Sequence, residues 1–199
     1  MGHPVSASWI APVASILFAT QTMGVSAMDR IPISLDVRDA DYRTAVEELL
    51  FAINTLHDAG LDLDEIPDDL MAIYYADFIL LELIEAGVGH FRKFQMPLHR
   101  LTERDVLSAL ERIGAVKHRQ FFADNILGTR GGIFGFGNTA SKADRMLTEL
   151  GQSENIEELI SALLKSTDQI EWVEDAEVNS RLAELTMGQI IRTNEDKED

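Results

Sequence analysis

At 199 residues and 22.2 kDa the chain is long enough to bury one sizeable core, and 46% hydrophobic against 26% charged residues excludes wholesale disorder. The absence of cysteine excludes disulfides, thiolate metal sites and a cysteine nucleophile, and suits a reducing cytoplasm. A net charge of −17 with a pI near 4.5 excludes passive attraction to nucleic-acid phosphates or an anionic lipid surface, and favours a basic partner.

The charge is segregated. Residues 1–89 carry 15 acids and 3 bases, residues 90–145 carry 5 acids and 10 bases, and residues 146–199 carry 14 acids and 4 bases. Acidic flanks around a basic middle fit internal ion pairing, a homodimer with self-complementary surfaces, or an acidic face that docks another protein.

In chain order, residues 6–28 are apolar and rich in small residues. No Lys or Arg precedes them and Pro12 interrupts them, which argues against a signal peptide; they are also too short for a membrane span. A packed arm, or a start assigned upstream of Met28, fits the pattern. One helical domain is expected over residues 29–193, and an acidic disordered tail over 194–199.

"DYRTAVEELLFAINTLHDAG", from Asp41, places Tyr42, Val46, Leu49, Leu50, Ile53 and Leu56 at helical spacing with Gly60 just past the end. "LDLDEIPDD" is an acidic connection whose Pro67 suits the first turn of the next helix. "DLMAIYYADFILLELIEAG" is apolar on nearly every face, interrupted by Asp77, Glu82 and Glu85, so it belongs at the centre of a core. Glu82 in that setting needs backbone amides or a cation such as Arg92 or Arg100. Asp77 carries the same requirement, relaxed if it faces the surface.

Thr102 and Asp105 start "LTERDVLSALERIG" as a capping box; Val106, Leu107, Leu110 and Ile113 form its stripe and Gly114 ends it. "AVKHRQFFADNILG" is a shorter helix with Phe121, Phe122 and Ile126 inward. "SKADRMLTELG", "NIEELISALLKS" and "NSRLAELTMGQIIR" are further helices, and "DQIEWVEDAEV" reads as a helical turn carrying Trp172. No segment combines alternation with β-branched enrichment, so the expected fold is all-α, a single-domain bundle of about seven to nine helices.

Motifs for chemistry are sparse. The glycine-rich loop 128–137 lacks G-x-x-x-x-G-K-[ST], and Gly132, Gly135 and Gly137 reverse the G-x-G-x-x-G spacing, so it reads as a loop and not as a phosphate cradle. The five histidines include no H-x-x-x-H or E-x-x-H pair, and no G-x-S-x-G elbow occurs; no catalytic residue, metal or cofactor is expected. Arg92, Lys93, Arg100, Arg104, Arg112, Lys117 and Arg119, interleaved with Phe91 and Phe94, fit ion pairing better than nucleic-acid binding amid so many acids.

"YYADFILLELIEAGVGHF", followed closely by "VLSALERIGAVKHRQFF", resembles the DNA-mimic-protein domain family of the nineteen-kilodalton type, a helical bacterial domain, over about residues 66–127. Glu82, Gly87 and Phe91 match its first motif; Ala109, Leu110, Ile113, Gly114 and Ala115 match its second. Glu85, Ala86, Val88 and His90 depart from the Asn, Gly, Phe and Gln of the family pattern.

The resemblance implies that acidic side chains on a helical body imitate the phosphates of DNA and occupy a basic DNA-binding protein. The residues for such contacts are Asp62, Asp64, Glu65, Asp68 and Asp69 in one cluster, and Glu171, Glu174, Asp175 and Glu177 in another. Glu82, Gly87, Phe91 and Gly114 are expected to be scaffold. Two alternatives stay open: an immunity-type inhibitor of a basic toxin, and an enzyme using Glu82, His90 or His118 in a pocket near residues 82–118.

Overall fold

The structure, a computed structural model, describes residues 28–91, 101–127 and 138–195. The apolar stretch up to residue 27, the cations Arg92, Lys93 and Arg100 with Phe94, the glycine-rich loop 128–137 and the tail from residue 196 lie outside the described residues.

The fold is mostly helical. Strand β1 (Ile31–Ser34) is followed by helices α1 (Tyr42–Asp58), α2 (Asp68–His90), α3 (Glu103–Arg112) and α4 (Val116–Phe121), which runs on as a π-helical turn, Phe122–Leu127. Then come α5 (Asn138–Gly151), α6 (Ile156–Ser166), strand β2 (Ile170–Val173) and α7 (Asp175–Glu195). Short 3₁₀ turns cover Leu35–Val37 and Leu63–Glu65.

Helix starts follow local chemistry. Asp41 accepts the Thr44 amide at 3.1 Å to cap α1, and Thr102 and Asp105 form a reciprocal capping box on α3. Each such cap contributes about 1 kcal/mol. Gly114, with φ +81°, ends the α3 turn in a left-handed conformation.

Helix α2 is the axis of the core, covered by α3, α5 and α6. Leu70, Ile73, Ala76 and Ile79 are all fully buried, and each large aliphatic among them contributes roughly 1.5–3 kcal/mol.

The buried acid of α2 is Asp77, at 0% exposure, and not Glu82, which is half-buried. Tyr42 Oη donates to Asp77 Oδ1, and Arg43 Nη1 donates to the two carboxylate oxygens at 3.1 and 3.4 Å. The Arg43 guanidinium also lies 5.1 Å over the Tyr42 ring. The partner required for a buried carboxylate therefore comes from α1, while Glu82, near the wet edge of the helix, has no such requirement.

One segment departs from the expected fold. Ile170–Val173, inside "DQIEWVEDAEV", is a strand and not a helical turn; it pairs in parallel with β1 in the register Ile31 to Ile170 and Ser34 to Val173. Trp172 accordingly lies on a strand, with the Arg38 guanidinium 5.9 Å from its ring centroid. Pro32 is tolerated because β1 has one neighbour and alternate amides point away from the ladder. Helix α7 begins four residues before "NSRLAELTMGQIIR" and continues to Glu195. Among the described residues no helix is long and apolar enough to cross a membrane.

Candidate functional site

The first acidic cluster, remote in sequence from the second, is tied through Asp69 to the segment that leads into the second. The Asp69 amide donates to Gln169 Oε1 at 2.9 Å, and Thr167 Oγ1 donates to the Asp69 carboxylate at 2.8 Å. These bonds dock the start of α2 against the residues leading into β2. Four strand residues at roughly 3.3 Å each then carry the chain about 13 Å to the first turn of α7, where Glu174, Asp175 and Glu177 are exposed. The sheet thus spaces the two acidic clusters, and the two together are called the acidic line.

Not every carboxylate in it is free to meet a partner. Arg112 Nη1 donates to Asp68 at 3.1 Å and its Nε to Asp69, Arg181 Nη2 donates to Glu171 at 3.1 Å, and Glu65 accepts the Asp62 amide at 3.1 Å. Asp69 is thus tied into the fold, while Asp68, Glu171 and Glu65 are engaged in pairings at the surface. Asp62, Asp64, Glu174, Asp175 and Glu177 carry the outward charge. Asp175 and Glu177 also sit at the positive end of the α7 dipole, which stabilises them by a few tenths of a kcal/mol each.

The glycine junction after α2 organises a second feature. Gly87 adopts φ +75° and ψ 169°, a conformation open to glycine, and it kinks α2 within its last turns. The kink deprives the Val88 amide of a helical acceptor, and Asp144 Oδ1 from α5 takes it at 3.0 Å. A Cβ at Gly87 would lie 3.2 Å from that same oxygen. Beyond the kink Phe91 is fully buried, with ring centroids 6.5 Å from Phe78 and 6.2 Å from Phe122. Gly87, Phe91 and Gly114 therefore act as scaffold.

Beside the kink, α2, α4, α5 and the start of α6 enclose a cleft of about 720 Å³. Gly87, His118, Asp144 and Glu154 are in its wall; Glu82 and His90 are not. His118 is buried and its Nδ1 lies 2.7 Å from Glu154 Oε2. Glu154 also accepts the Lys117 and His118 amides at 3.0 and 2.8 Å, capping α4 across space where Ala115 offers no side-chain oxygen.

Burial pushes the Glu154 carboxyl up, but the two amides and the His118 ring outweigh it and hold it below its ordinary value. A depressed carboxyl contributes stability that is present above the unfolded value, near 4.5, and is lost as pH falls below it. Wild type should thus lose stability from about pH 5 downward, and Glu154→Gln should remove part of that acid slope while lowering stability at pH 7. Urea melts at pH 7 and pH 4 check this; an unchanged slope would reject the assignment.

Asp144 and Glu154 carry no sequence signal of their own, because each serves an amide on another element. The available hints were Gly87 and the uncapped start at Ala115, both of which leave amides in need of an acceptor. Among the described residues no group of three or more His, Asp or Glu could hold a metal ion. No family model, no curated protein and no solved structure matches the chain.

Proposed function

We propose that this protein is a cytoplasmic regulator that binds a basic protein through its acidic line, in the manner of a DNA mimic. The observation that carries the reading is the exposure of Asp62, Asp64, Glu174, Asp175 and Glu177, with Asp69, Thr167 and Gln169 docking the start of α2 on the segment that leads to the second cluster. Exposed carboxylates in the turn before α2 and at the start of α7 present two patches of negative charge, which is the property a basic DNA-binding groove selects. Asp62, Asp64, Glu174, Asp175 and Glu177 are the contact residues of this reading, while Asp68, Asp69, Glu65 and Glu171 are engaged in pairings within the chain.

The test is retention of proteins from native lysate at low salt on the wild-type protein and on an Asp64→Lys, Glu174→Lys, Asp175→Lys, Glu177→Lys variant, followed by a salt gradient. The expected result is a DNA-binding protein that elutes as salt rises, is displaced by added duplex DNA and is not retained by the variant. Retention that survives both the charge reversal and the duplex competitor would overturn the reading.

A further inference from the structure

We propose that the cleft beside Gly87 binds a small molecule with a protonated amine head and an apolar body. This site is separate from the acidic line and does not depend on it.

The charged side chains in the wall of the cleft are acceptors. His118 Nδ1 is occupied by the Glu154 carboxylate at 2.7 Å. The His118 side chain is only 5% exposed, it forms part of the cleft wall, and its Nε2 has no hydrogen-bond partner among the described residues. The Thr148 hydroxyl is committed to the Asp144 carbonyl at 3.0 Å, and one of the two Asn155 side-chain N–H groups to Glu158 at 3.2 Å. Asp144 and Glu157 add two carboxylates, and among the described residues no Lys or Arg lines the cleft.

A wall of acceptors and negative charge recognises a group that brings both donors and positive charge. An ammonium does so with three N–H bonds on one compact centre. Leu80, Leu83, Leu147 and Ile156 line the same space, so the remainder of the ligand is apolar. Carboxylate and phosphate ligands are disfavoured by like charge, and a neutral alcohol supplies a single donor without the charge.

The probes are n-hexylamine, n-hexanoate and 1-hexanol, which share one apolar body, titrated by calorimetry at fixed ionic strength into wild type and three variants. Hexylamine is expected to bind, with hexanoate undetectable and hexanol at least tenfold weaker. Leu83→Trp, which fills the cleft, is expected to abolish amine binding, and Glu157→Gln, at an exposed side chain, to weaken it about tenfold. Asp64→Asn, remote from the cleft, should leave it unchanged.

Equal binding of hexanoate, or amine binding lost equally on Asp64→Asn, would overturn the proposal by reducing it to general attraction toward an acidic surface. Should Leu83→Trp not fold, Glu157→Gln decides alone: unchanged amine affinity in that variant rejects the site.

Discussion

Removing both partners of Asp77, by Tyr42→Phe with Arg43→Met, is expected to lower stability by about 3–5 kcal/mol, the usual cost of stranding a buried charge. Asp77 has 0% exposure and its contacts come from those two side chains. Arg43→Met alone should fall below this range, since the Arg43 side chain is 36% exposed and water takes over part of its role. Adding Asp77→Leu to the double variant should recover most of the loss, because an apolar set of similar volume leaves nothing unsatisfied. Denaturant midpoints of the three proteins check the order. A double variant as stable as wild type would mean that solvent reaches Asp77.

The same cluster sets an alkaline limit. Burial, reinforced by the bond to Asp77, holds the Tyr42 hydroxyl far above its ordinary 10.0. A group whose folded value is raised contributes stability that is complete below the unfolded value and is lost as pH rises beyond it. Wild type should therefore weaken above about pH 10 more steeply than Tyr42→Phe does.

Phe91→Ala is the second large effect, about 3–5 kcal/mol, which corresponds to a fall in Tm of roughly 10 °C for a domain of this size. Phe91 is wholly buried and its edge-to-face contact with Phe122, at 82° between ring planes, locks the segment after the kink to the π-helical turn following α4. Phe91→Leu keeps most of the volume and should cost less than half as much. Thermal melts of both variants provide the comparison. A loss below about 1 kcal/mol for Phe91→Ala would show that the site collapses around the missing ring.

Local pattern determined the helical character of this protein. Asp41 before α1, the Thr102 and Asp105 box before α3, and the glycines after α1 and α3 act within one or two turns, so their effect is readable from adjacent residues. The break at Gly87 and the burial of Phe91 follow from a similarly local pattern, a glycine ending an apolar run with an aromatic residue just after it.

The tertiary structure decided the rest, wherever a group's partner lies far along the chain. β1 and β2 are four residues each at opposite ends of the described chain, and neither carries enough pattern to declare a strand without the other. A helix apolar on nearly every face has no phase to distinguish Asp77 from Glu82; packing of α1 against α2 chose between them. Charge counting placed the acidic clusters but could not divide them into carboxylates spent on Arg112 and Arg181 and those facing outward. The cleft likewise depends on amides of α2 and α4 finding Asp144 and Glu154 on other elements. Hydrogen-bond satisfaction must be met somewhere in a folded chain, and only the three-dimensional arrangement specifies by which residue.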